Sequence, residues 1–120
     1  MKTNKEIIKK YCWEICEKEH LGKPKISLRY NVNTWGLCYN KLENKKIIRL
    51  SKCMLLDFKL LKKYCGVDLW SVLIHEIAHL RYSNHIEAHN KDFWNYYKLL
   101  IKKYANLKNK FYKELNEIKK

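Results

Sequence analysis

The twelve residues LWSVLIHEIAHL (69–80) constrain this chain more than any others. Placed on a helix, Leu69, Trp70, Val72, Leu73, Ile74, Ile77, Ala78 and Leu80 cover nearly every side, the signature of a helix enclosed by protein. Its polar residues therefore face the interior: Ser71 near the start, then His75, Glu76 and His79. A buried ionisable group must be paired or must shift its pKa. Something in the fold has to compensate these three.

A metal ion is the best compensation. His75 and His79 lie four apart, so their side chains stand on one face with Cβ atoms roughly 5–6 Å apart. Zinc takes histidine nitrogen at about 2.0–2.1 Å in tetrahedral geometry, and a hydrolytic site combines three protein ligands with a water. Glu76, rotated about 100° from His75, can reach that water without binding the ion. This is the HExxH pattern, in which the glutamate serves as general base. The alternative is a pair of hydrogen-bonded core histidines beside an ion-paired glutamate. The stretch HEIAHLRYSNHIEAHNKDFW (75–94) also supplies two candidate third ligands. His85 follows Asn84, whose tolerance of left-handed backbone could turn the chain back toward the metal. His89 precedes Asn90, an expected N-cap of the last helix, with Phe93 and Trp94 anchoring that helix in the core. A ligand beside a capped and packed helix start is better pre-organised, which favours His89, with His85 as the alternative.

The 120 residues suffice for one hydrophobic core and are too few for two ordinary domains, so residues 1–120 are expected to form a single domain. Residues 3–20 read as an amphipathic helix with Ile7, Ile8, Tyr11, Cys12, Ile15 and Cys16 inward, ended by Gly22 and Pro24. The segments ISLRYNV and KKIIRLS are strand-like, with TWGLCYN between them and bends expected at Asn31, Asn33, Gly36, Asn40 and Asn44. Such short connections predict a small antiparallel sheet. A second helix is expected from Ser51 or Lys52 to Cys65, a third from its N-cap Asp68, and a last from about 90 to 118 with a break near Asn106.

The net charge is +14, and only the histidine-rich stretch 66–90 runs negative. Two explanations stand: a polyanion such as DNA bound through the basic surface, or a coding composition that favours Lys, Asn, Ile and Tyr. The N-terminus MKTNKEIIKK lacks the apolar core of a signal peptide, and no apolar run could span a membrane. Five cysteines without a CxxC pair argue against a disulfide framework. A soluble cytoplasmic protein without membrane contact is expected.

HEIAHL, a short linker and HNKDFW together resemble the SprT-like and YgjP-like zinc metallopeptidase group, with the related WLM proteases. There HExxHL is followed by a histidine, a small residue and an aromatic three positions after the histidine. TWGLCYN followed by KKIIRLS is similar to that group's strand motif. The resemblance covers roughly residues 26–97. It implies an α+β fold of minimal zincin, gluzincin-like type, with a small antiparallel sheet packed on helices around a central HExxH helix. It further implies one Zn²⁺ on three histidines, a catalytic Glu76, and a peptide laid as an added strand near Lys46 to Leu50. The local pattern around His89 fits the group, whereas the usual six-residue spacing after the second motif histidine selects His85. The zinc ribbon that ends some SprT proteins is missing, since no cysteine lies beyond Cys65.

The expectation is therefore a zinc metallopeptidase-like hydrolase that cleaves peptide bonds, including those of protein attached to DNA. The rival expectation is a non-catalytic, nucleic-acid-binding protein with a structural zinc. Cys12, Cys16 and His20, at i, i+4 and i+8, continue an apolar stripe and read as core rather than a second metal site. Tyr96, Tyr97 and Tyr104, at helical spacing, read as packing residues.

Overall fold

Thr3 opens the first helix by accepting the Glu6 N–H on its hydroxyl (3.2 Å), which satisfies one of the donors a helix start leaves without a partner. The computed structural model describes residues 3–29, 36–40, 46–51, 68–82 and 91–118. They form α1 (Asn4–Lys18), β1 (Lys25–Arg29), β2 (Gly36–Asn40), β3 (Lys46–Ser51), α2 (Leu69–Arg81), α3 (Lys91–Lys103) and α4 (Ala105–Ile118). The expected helix from residue 51 or 52 to 65 lies outside the described residues, as does the N-cap expected at Asn90.

The stripe read from α1 is buried in full: Ile7, Ile8, Tyr11, Cys12, Ile15 and Cys16 all lie in the core. After Lys18 the chain reverses in a Schellman turn. The Leu21 N–H donates to the Cys16 carbonyl (2.8 Å) and the His20 N–H to Glu17 (3.3 Å). The turn places His20, rather than a glycine, at φ 59°, and Gly22 follows at φ 83°. Trp13 Nε1 then donates to the Pro24 carbonyl (2.7 Å) and holds the connection into β1.

The strands pair in the order β1-β3-β2, with β1 parallel and β2 antiparallel to β3. Gly36 and Asn40, expected at bends, instead bound β2. Because β3 is central and already paired on both sides, the stretch Lys46 to Leu50 offers no free edge for an incoming peptide. That expectation is withdrawn.

The expected α+β fold of minimal zincin type, with an antiparallel sheet packed on helices, is likewise overturned. The described structure is mostly helical: four helices of 13 to 15 residues carry it, beside three short strands of mixed direction. The physical reason lies in where the apolar area sits. Tyr11 of α1, Trp70 of α2 and Phe111 of α4 meet edge to face or tilted, with centroids 5.1–6.4 Å apart, and form the aromatic centre of the core. Among described strand residues, only Ile26, Ile48 and Leu50 are fully buried. The helices bury one another, and the strands contribute a margin. The break in the C-terminal helix falls at Tyr104, two residues before the expected Asn106. No described helix is long and apolar enough to cross a membrane.

Candidate metal centre

Helix α2 begins where the sequence placed it, but its cap is shared. Asp68 has the extended backbone of an N-cap, yet its carboxylate makes no bond to the helix N–H groups. It accepts from the Ser71 and Tyr112 hydroxyls and from Lys108 (3.2 Å), while the Tyr112 oxygen accepts the Trp70 N–H (2.9 Å). Tyr112 of α4 thus performs the capping that the Asp68 side chain would ordinarily perform. Burial alone would raise the Asp68 pKa, but these donors outweigh it and hold the carboxyl below its usual range.

One turn into α2, the apolar residues Leu73, Ile74, Ile77 and Ala78 are fully buried and fix the helix in the core. His75 and His79 project from the remaining face, both half-buried. Their Nε2 atoms lie 3.2 Å apart and their rings meet at 78°. Two nitrogens held tetrahedrally at about 2.0–2.1 Å from one zinc ion stand roughly 3.3–3.4 Å apart, so the pair has the separation such an ion requires. The same spacing serves a hydrogen bond between neutral imidazoles, with one proton shared between the two nitrogens.

Phe93, the third residue of α3, closes one side of this pair. It stacks on His79 (4.4 Å, 27°) and meets the edge of His75 (5.0 Å, 72°). Trp94 and Tyr97 approach His75 at 5.7 and 6.0 Å. Glu76, the next residue on α2, is 4% exposed, and no described residue donates to its carboxylate. Burial pushes its pKa up to about 7. An imidazole pair that can take a cation therefore adjoins a carboxyl that titrates near neutrality.

No protein-family model, curated protein or solved structure matches this chain.

The sequence reading placed His75, Glu76 and His79 on one buried helix, and the structure brings them together there. His85 and His89 lie outside the described residues, and among the described residues no group of three or more His, Cys, Asp or Glu converges on a common point. The expectations for Phe93 and Trp94 part company: Phe93 is fully buried, whereas Trp94 is 40% exposed. Tyr96 and Tyr104 are buried as expected for packing residues. Both also donate to Glu19, as does Lys103 (3.0, 2.6 and 2.6 Å).

That cluster was not anticipated. Glu19 is 6% exposed at the end of α1. Its burial would raise its pKa, but the three donors overcome this and lower it. Arg81, the last residue of α2, donates to the Glu19 carbonyl (2.5 Å) and lies over the Tyr96 ring (4.6 Å). The ends of α1, α2 and α3 are thereby tied beside the histidine pair. Only the isolated acid between Cys16 and Gly22 hinted at it. Cys12 and Cys16 lie in the core with sulfurs 3.9 Å apart, and His20 is exposed.

Proposed function

We propose that this protein is a zinc-dependent hydrolase of peptide bonds. The observation that carries the reading is the 3.2 Å approach of the His75 and His79 Nε2 atoms beside the buried Glu76 carboxyl. In this reading the two nitrogens are ligands, and His89, or alternatively His85, is the third. When bound, zinc supplies a Lewis acid that makes water more acidic and polarises a carbonyl. Glu76 accepts the proton of the attacking water and delivers it to the departing amine. A carboxyl that titrates at about 7 can perform both transfers near neutral pH. Phe93 keeps the imidazole faces dry and fixes their orientation. The net charge of +14 supports a polyanion nearby, and protein attached to DNA is the substrate that accommodates both features. The reduced, buried Cys12 and Cys16 suit a reducing compartment such as the cytoplasm.

The test is elemental analysis of the purified chain alongside hydrolysis of a denatured, fluorophore-labelled protein. One zinc per chain is expected, with loss of the metal in His75→Ala. Glu76→Gln is expected to keep zinc and to lose hydrolysis by a factor of about 10² or more. His85→Ala and His89→Ala, compared for zinc content, assign the third ligand. A chain that takes up no zinc defeats the reading. A Glu76→Gln variant that retains zinc with undiminished hydrolysis defeats the role of Glu76.

A further inference from the structure

Helix α3 turns two kinds of aromatic surface toward the histidine pair. Phe93 is fully buried against both imidazoles, whereas its neighbour Trp94 is 40% exposed and half-buried Tyr97 stands one turn further on. The Trp94 and Tyr97 rings meet at 89° with centroids 5.6 Å apart, and both lie within 6.0 Å of His75. They form a right-angled corner whose inner side opens next to the imidazoles. A corner of this kind receives one side chain against two ring faces. Successive nucleic-acid bases stack instead on aromatic faces that follow one another along a strand.

The charge around the corner selects further. On the helix, Lys91 lies three residues before Trp94 and Lys98 four after it, so both neighbour Trp94 on one face. Both are exposed, as is Lys102 one turn on, and Asp92 is the only acid in α3. An apolar occupant of the corner therefore sits between cations, and acidic neighbours of that occupant would be attracted.

We propose that Trp94 and Tyr97 form a subsite beside the histidine pair that binds an apolar or aromatic side chain of a peptide with acidic flanking residues. The subsite names a substrate class for the proposed peptide hydrolase and rests on that reading for its purpose. It does not rest on it for its binding, which Trp94, Tyr97, Lys91 and Lys98 supply themselves.

Binding is therefore measured apart from catalysis, by calorimetric titration of the chain in chelator with acetyl-Glu-Glu-Phe-Glu-Glu-amide. The same titration is run with Phe replaced by Ala, with the acids replaced by Lys, and with an oligothymidylate of eight nucleotides. The Phe peptide is expected to bind about tenfold more tightly than the Ala peptide, the increment of one well-placed aromatic contact. The Lys peptide is expected to bind more weakly than either.

Trp94→Ala should abolish the difference between Phe and Ala peptides. Leu99→Ala serves as the control: Leu99 is 53% exposed but lies about 140° around α3 from Trp94, and its loss should leave the difference intact. Lys98→Glu should weaken the acidic peptide and strengthen the Lys peptide. A circular-dichroism melt of each variant checks that it folds.

Undiminished Phe-over-Ala discrimination in folded Trp94→Ala overturns the subsite, and so does the absence of measurable binding by any peptide at millimolar concentration. Selective loss of oligothymidylate binding in Trp94→Ala overturns it in favour of a nucleic-acid platform. Should Trp94→Ala fail to fold, Lys98→Glu decides, and unchanged affinities in that variant overturn the proposal. Failure of the hydrolase reading appears elsewhere, as absent zinc or absent cleavage with peptide binding intact.

Discussion

Glu19, Asp68 and Glu76 are all sheltered from water, and their surroundings move them in opposite directions. Glu19 and Asp68 each collect three side-chain donors and are held below the usual carboxylate range, although burial alone would raise both. Glu76 has no described donor, and burial pushes it up from 4.5 to about 7. The folded chain thus retains the Glu76 proton in a window where the unfolded chain has lost it. As pH climbs from 4.5 to about 7, ionising that group inside the fold costs stability, and above this window the full cost is present. Metal-free Glu76→Gln is accordingly expected to exceed the parent at pH 8, by on the order of 2 kcal/mol. The advantage should shrink to nothing as the pH approaches 4.5, the ordinary value for the group. Urea unfolding followed by circular dichroism at both pH values checks this, and equal midpoints at pH 8 would show that the carboxylate is compensated after all.

At the level of elements, the start of α2 depends on a hydroxyl 42 residues away in sequence, because Tyr112 accepts the Trp70 N–H and donates to Asp68. Tyr112→Phe removes both bonds while leaving the ring in place. A loss of about 1–3 kcal/mol is expected, the cost of leaving sheltered polar groups unsatisfied, readable as a lower urea midpoint with an unchanged slope.

Asp68 itself was legible as the boundary of α2, since an acid precedes an apolar run. The partner that completes the cap was not, because nothing local to Tyr112 marks it. The same division runs through the other elements. In α1 the stripe from Ile7 to Cys16 was readable, as was the enclosed character of α2, because helical periodicity is a local property. The sheet was misread because pairing is not local. Nearness in sequence suggested an antiparallel sheet, whereas β3 enters between β1 and β2 and runs parallel to β1. At the site, His75, Glu76 and His79 were legible from their spacing. The corner of Trp94 and Tyr97 was not, because Trp94 reads as a core anchor when its only visible attribute is size.

For the molecule as a whole, Glu19 and Asp68 set the acid limit of stability. Both carboxyls bind protons less readily in the folded chain than in the unfolded one, so the stability they contribute is fully present above their ordinary values of 4.5 and 3.8. It is lost as pH falls below that range. Unfolding free energy measured from pH 6 down to pH 2 is expected to drop steeply on the acid side. Glu19→Gln should be weaker than the parent at pH 6 and approach it at the acid end, and parallel curves would exclude Glu19 as a source of the acid sensitivity.

The packing of the first helix against the last also governs how the protein can be made. Lys10 pairs with Glu114 across 104 residues, and Tyr11 meets Phe111. During translation the oily side of α1 leaves the ribosome first and waits for nearly the entire message to be read before its permanent cover arrives. Throughout that interval the nascent polypeptide presents Ile7, Ile8 and Tyr11 to the cell, a demand on chaperones that a circularly permuted gene joining these two helices early would relieve.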